Sequence, residues 1–161
     1  MDHDSGEYGM GILTREPALE SASEELPSGE EPRCSLWVRT TQAAFIGVHL
    51  YRTEPERLAQ AQRLVETFAD ETGPVIVAGD FNSEPGSAVM DYIGQHWRIA
   101  PKASPTLSFP ADEPVKEIDF ILYRPEDAFD VVTSHVVDEA MASDHRPVLL
   151  ELRPRLTHEA R

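Results

Sequence analysis

Apolar and polar positions alternate along the chain in blocks, and the clearest block is Val75-Ile76-Val77-Ala78 running into Gly79-Asp80-Phe81-Asn82. A β-branched run that stops at Gly-Asp-x-Asn predicts a buried strand that delivers two polar side chains at its carboxyl end. Residues two apart on an extended chain point the same way, so Asp80 and Asn82 can share a site while Phe81 packs behind them. The same residues can also form an Asx-turn that only caps backbone amides. Upstream, Ala43 to Leu50 predicts another strand, and His49 interrupts its apolar run where the chain leaves the sheet. A lone histidine there is most simply a structural hydrogen-bonder. Between the two strands, Thr53-Glu54-Pro55-Glu56 is a capping box with proline in the first turn. Leu58, Ala61, Leu64, Val65 and Phe68 then recur at helical spacing, and Thr72-Gly73-Pro74 stops the helix, which the pattern places over Thr53–Glu71. Strand, helix and strand make a βαβ unit with parallel strands. Both strands then end at one edge, which brings His49 towards Asp80 and Asn82.

Elsewhere the pattern is weaker. Gly9 to Arg15 predicts a short strand cut off by Pro17, with Glu7 and Tyr8 on the rim of the molecule. Ala18 to Glu31 is acidic and carries a turn signal at Leu26 to Gly29, so it predicts a polar hairpin returning through Ser35 to Thr40. Beyond Asn82, a short helix is expected at Ala88 to Ile93 and a brief strand at His96 to Ala100, with Trp97 as a core or lid aromatic. Pro101 to Glu117 is proline-rich and irregular, leaving Thr106, Ser108 and Phe109 available to a substrate. Glu117 to Tyr123 predicts a strand that holds Asp119 among apolar residues, where a carboxylate is paired, hydrogen-bonded or at a site. Phe129 to Val137 predicts a further strand in which His135 is structural. Ser143-Asp144-His145-Arg146-Pro147 precedes the last strand, Val148 to Leu152. The expected division is one domain over residues 1–153 and a polar, frayed tail over 154–161.

Composition narrows the class. The 161 residues are 40% apolar and 27% charged, which describes one globular domain with enough chain to bury a core. No stretch is long and apolar enough to span a bilayer. The amino terminus lacks the basic start and apolar centre of a secretory signal, so a soluble, cytoplasmic location is the default expectation. A formal net charge of −15 disfavours nucleic acid as a partner unless a cation or a local basic patch intervenes. Cys34 is the sole cysteine, which excludes an intrachain disulfide and fits a small strand residue.

Four places put an acid, amide or imidazole at the end of an apolar run: His49, Asp80 with Asn82, Asp119, and Asp144 with His145. Together they fit a metal-assisted phosphoester hydrolase better than a set of unrelated turns. Val-Ala-Gly-Asp-Phe-Asn-Ser-Glu-Pro at 77–85, Glu-Ile-Asp-Phe-Ile at 117–121 and Ser-Asp-His-Arg-Pro-Val at 143–148 resemble three signatures of the endonuclease/exonuclease/phosphatase superfamily. Gly-Val-His-Leu at 47–50 is similar to its Thr-His-Leu strand end. Residues 6–15, Gly-Glu-Tyr-Gly-x-x-Ile-Leu-Thr-Arg, are similar to its Gly-x-x-Gly-Asn-Ala-Ile-Leu-Ser-Arg segment. The resemblance runs from about Gly6 to Leu152 with the same order and intervals.

That resemblance implies a four-layer α/β sandwich, two mixed sheets face to face with helices outside, and Mg²⁺ or Mn²⁺ dependence. It implies that Asp80 orients or deprotonates water, Asn82 holds a phosphate oxygen, and His145, paired with Asp119, is a general base or phosphate donor. His49 would donate to the phosphate or leaving oxygen. Asp144, with Asp80 and His145, would serve the metal. Hard Mg²⁺ wants carboxylate oxygens, and charge on phosphoryl oxygens wants fixed donors. Family members also carry an earlier strand bearing an Asn and a Glu that is a principal metal ligand. Nothing upstream of Gly6 supplies these, so the chain is expected to correspond to the carboxyl-terminal two-thirds of such a domain. The alternative function is a catalytically impaired fragment or pseudoenzyme that binds a phosphorylated ligand or a partner chain. Expected substrates are small phosphate esters or phospholipid headgroups ahead of nucleic acid; no motif sets the oligomeric state.

Overall fold

The computed structural model describes residues 9–155, with the backbone alone at residues 2–3 and 6–7. Strands β1 (Asp2–His3) and β2 (Gly6–Glu7) form a small antiparallel pair. The main sheet is mixed and six-stranded, built from β3 (Glu20–Leu26), β4 (Arg33–Arg39), β5 (Ala44–His49), β6 (Val75–Asp80), β7 (Arg98–Ile99) and β8 (Asp119–Arg124) in the order β3-β4-β5-β6-β8-β7. Helices α1 (Glu54–Thr67) and α2 (Ala88–Ile93) cover one face. A second, two-stranded antiparallel sheet, β9 (Phe129–Val136) and β10 (Val148–Pro154), packs on the other. The class is the expected α/β sandwich, in three layers among the described residues.

Alternation within the strands sets the layers. Ala44, Ile46 and Val48 of β5 and Val75 and Val77 of β6 point to α1 and α2, where they join Ala61, Leu64, Phe68, Val89 and Ile93 in the main core. Ile76 points the other way, into a smaller cluster with Tyr123, Phe129, Leu150 and Leu152. As the βαβ reading expects, β5 and β6 are parallel, with His49 level with Asp80. On its other side β6 pairs antiparallel with β8, which sets Asp119 level with Asp80. Three polar side chains thus arrive at one sheet edge by register alone.

Several expected boundaries move. The helix begins as expected after Thr53, with Pro55 in its first turn, but Thr53 Oγ1 donates to the Glu56 carboxylate instead of capping a backbone amide. It stops at Thr67, not Glu71, because the following turn is held from outside. Arg124 donates to the Phe68 and Glu71 carbonyls, and Arg39 grips the Glu71 carboxylate through two bonds of 2.7 Å. Gln60, on the apolar face of α1, is fully buried, with its oxygen accepting from Tyr51 N at 2.8 Å and its nitrogen donating to Pro27 O at 2.7 Å. The hairpin forms between β3 and β4, with the return strand starting at Arg33.

The strand expected at Gly9–Arg15 is absent. Ile12 lies against Gly47 of β5, which already has partners on both edges, so the segment finds no free backbone edge and crosses the sheet face. Leu13 consequently points into solvent. Trp97 is buried in the main core, as a core aromatic should be. His135 pairs with Leu149 within the second sheet and its Nδ1 meets Thr133 Oγ1 at 3.4 Å. The two sheets do not close completely. A cavity of about 360 Å³ remains among Phe45, Ile76, Ala78, Ile121, Leu150 and Leu152. Among the described residues no helix is long and apolar enough to cross a membrane. The side chains of Glu7 and Tyr8 and the tail from Leu156 onward lie outside the described residues.

Candidate active site

The site begins with Gly79. Its φ is +148°, and a Cβ there would lie 1.9 Å from Val48 O, so only glycine lets β6 meet β5 at this level. Asp80 follows directly. Its Oδ1 accepts from Asn82 N at 2.7 Å, a turn that requires the left-handed φ of +48° at Asn82, a conformation that asparagine tolerates. The Asx-turn and a site position are therefore both realised by Asp80. Asn82 Nδ2 spends one hydrogen on Leu50 O at 2.9 Å, which orients the amide and leaves its second hydrogen to be donated. Phe81 packs behind, fully buried against Phe120.

Two imidazoles approach the same carboxylate. Asp80 Oδ2 lies 3.4 Å from His49 Nε2 and 4.0 Å from His145 Nε2. On its far side, His145 Nδ1 is 2.8 Å from Asp119 Oδ2, which also accepts from Ser108 Oγ at 2.6 Å. With Nδ1–H given to Asp119, Nε2 of a neutral His145 is an acceptor facing Asp80. The Phe109 ring lies 4.6 Å from the His145 ring, centroid to centroid.

Electrostatics separates the two histidines. Burial holds His49 below its ordinary range, and the nearby Arg33 and His145 add to that against the pull of Asp80. His49 beside Asp80 is therefore a neutral contact, not an ion pair, near pH 7. Burial also disfavours the charged form of His145, but the Asp119 hydrogen bond and charge, with Asp80 and Asp144, outweigh it and raise its pKa. Burial pushes the Asp80 carboxyl up; Asp119 adds to this, while the Asn82 amide and the two histidines oppose it.

Two loops hold the pair in place. Lys102, nearly buried, donates to Asp119 O at 2.6 Å and meets Glu117 Oε1 at 3.0 Å, with its ammonium 4.2 Å from the centre of the Phe120 ring. Burial lowers the Lys102 pKa, opposed by Glu117. Thr106 donates to the other Glu117 oxygen at 2.8 Å. The loop bearing His145 is fastened to the same region, with Arg146 N on Ser108 O and Ala111 N on Asp144 O, both at 2.8 Å. The polar loop residues thought available to a substrate are thus partly committed. Thr106 serves Glu117, and Ser108, fully buried, serves Asp119.

The structure brings together His49, Asp80, Asn82, Asp119 and His145. Asp144 stays exposed, its carboxylate meeting Ser143 Oγ at 3.2 Å and acting on His145 only through charge. Sequence reading missed Lys102 and the inward role of Ser108. A hydroxyl two residues from no carboxylate gives no signal, and the partner lies eleven positions away on β8. The carboxylates of Asp80 and Asp119, level across one ladder, suit a hard divalent cation in kind. Among the described residues no group of three or more His, Cys, Asp or Glu side chains is placed to hold a metal ion. The chain thus offers part of a ligand set.

The sequence model of the family described as "Endonuclease/Exonuclease/phosphatase family" matches residues 2–145. A conserved protein of unknown function from Enterococcus faecalis superposes with a TM-score of 0.74 at 24% identity, covering 86% of this chain and 67% of that one. A mannosyl-6-phosphatase from Bacteroides thetaiotaomicron gives 0.70 at 19% identity, over 85% of this chain and 67% of that one. The catalytic domain of human nocturnin, with a bound sulfate anion, gives 0.63 at 18%, over 86% and 60%. At these identities the likeness is one of fold. The chain spans about two thirds of the length of the first two and less of the third. No curated protein matches the chain.

Proposed function

Because this chain belongs to the endonuclease/exonuclease/phosphatase family, whose members hydrolyse phosphoester bonds, we propose that it is a divalent-metal-dependent phosphoester hydrolase in which water attacks phosphorus. The observation that carries the reading is His145 held by Asp119 at 2.8 Å with its other nitrogen turned to Asp80. A carboxylate of raised proton affinity and an imidazole of raised pKa, side by side, are suited to opposite tasks. Asp80 takes the proton as the water oxygen bonds to phosphorus. The His145 imidazolium and the second Asn82 amide hydrogen donate to the phosphoryl oxygens, where charge accumulates. As the phosphorus–ester oxygen bond breaks, the departing oxygen accepts a hydrogen bond from the neutral His49 imidazole and takes its proton from solvent, to which Asp80 returns the proton it took from the attacking water. A bound divalent cation would supply Lewis-acid polarisation of the phosphoryl group. Asp80 would hold it directly, with Asp119 and Asp144 adding charge.

Hydrolysis of bis(4-nitrophenyl) phosphate and of 4-nitrophenyl phosphate with Mg²⁺ or Mn²⁺, with EDTA, and by His145→Ala tests this reading. Metal-dependent turnover that falls about 10²-fold or more in the variant supports it. The partial ligand set favours a second reading, in which the site binds a phosphorylated ligand without turning it over. Folded protein that binds inorganic phosphate but hydrolyses neither ester would replace the first reading with the second.

A further inference from the structure

A cavity of about 220 Å³ opens on the side of His49 and is walled by Gly9, Met10, Pro32 and Cys34, with Glu31 and Arg33 completing its lining. We infer that this cavity is the leaving-group subsite of the site proposed above, and that it takes a compact apolar alcohol, a single ring or a short branched alkyl group. The inference rests on the phosphoester reading of His49, Asp80 and His145.

Position is the first argument. His49 Nε2 faces Asp80 at 3.4 Å, and the same imidazole lines the cavity, so this side chain separates the carboxylate end of the site from the pocket. A phosphate held beside Asp80 and His145 therefore places an ester oxygen near His49 and the organic group beyond it. Cys34 shares that side by register. It lies one residue before Ser35, which pairs with Val48 of β5, so it neighbours His49 across the ladder.

Size is the second. Whole drug-sized ligands occupy roughly 300–1,000 Å³, and an engineered apolar cavity of about 150 Å³ binds benzene. A cavity between these takes one ring, not a nucleoside. Chemistry is the third. Met10, Pro32 and Cys34 give a soft apolar wall that adapts to shape. The cation lining it, Arg33, is paired with Glu31 at 2.7 Å, so the wall is close to neutral and does not favour a second phosphate. The net charge of −15 further opposes a polyanionic leaving group.

Cys34, half-buried and the sole thiol of the chain, reports on occupancy of the cavity independently of turnover. The test is its rate of alkylation by iodoacetamide in the presence of phenyl phosphate, phenol or inorganic phosphate, each with Mg²⁺. Phenyl phosphate and phenol are expected to slow alkylation, about tenfold when present at ten times their dissociation constants, and inorganic phosphate to leave it unchanged. The second measurement uses Cys34→Phe, which fills the cavity. The KM for phenyl phosphate rises about tenfold more than that for methyl phosphate, whose leaving group is too small to need the filled space. Cys34→Leu serves if the larger side chain impairs folding. Absence of protection by both phenol and phenyl phosphate, or equal protection by inorganic phosphate, overturns the subsite. Protection without any turnover retains the subsite and removes the hydrolase reading instead.

Discussion

The chemistry of this molecule turns on one carboxylate oxygen. Asp119 Oδ2 receives both Ser108 Oγ and His145 Nδ1, and through the second bond it sets the charge of an imidazole that would otherwise be driven neutral by burial. Asp119→Asn removes that support. The raised pKa of His145 means that the wild-type imidazole stays protonated to higher pH than usual. In the variant the main opposition to burial is lost, leaving only the charges of Asp80 and Asp144, and the pKa falls. The alkaline limb of kcat/KM should therefore move to lower pH, with kcat down about a hundredfold. An NMR titration of the His145 ring checks the shift directly. An unmoved His145 pKa in the variant would mean that Asp119 does not govern it.

At the scale of elements, the sequence revealed what repeats and hid what reaches. The βαβ unit was legible because its period changes from two to about four and back within forty residues, and its register then delivered His49 to Asp80. The Gly-Asp-x-Asn turn was legible because few residues tolerate its backbone. The end of α1 was not, since Arg39 on β4 and Arg124 on β8 pull residues 68–71 out of the helix, and neither lies nearby in sequence. Lys102 was illegible for the same reason. The carbonyl it bonds opens a strand seventeen residues later, and its ion-pair partner Glu117 lies just before that strand. The Arg39–Glu71 grip has a measurable pH signature. Hydrogen bonds from Arg39 hold the Glu71 carboxyl below its usual range, against partial burial. A depressed carboxyl pKa contributes stability above the unfolded value that is lost as pH falls through the folded one. Glu71→Gln should cost about 1 kcal/mol at pH 7, a screened value because Arg39 is partly exposed. That difference should vanish in urea titrations at acidic pH. A cost independent of pH would show that shape, not charge, holds the turn.

For the whole molecule, charge and layering dominate. Twenty-nine acidic residues against fourteen basic ones give the molecule a strongly negative net charge. Duplex DNA should therefore not inhibit phenyl phosphate hydrolysis at low salt, where any basic groove would bind it most tightly. Competition that weakens as salt rises would reveal such a groove. The layers are unequal too. Six strands face two, and Phe45, Ile76 and Ile121 border a space that the smaller sheet does not fill. Apolar surface left in this way favours contact with other apolar matter.

The route by which the site closes has a kinetic consequence. Asp80 and Asp119 meet through a ladder that joins residues 75–80 to residues 119–124, and His145 arrives on a loop fastened to Ser108 and Ala111. Every link spans a long stretch of chain, so loop-closure entropy must be met before any of these groups touch. A nascent or half-refolded chain can hold α1 and the β5–β6 pair without yet owning a reactive centre. Chemical competence and the final folding event should then share one time constant.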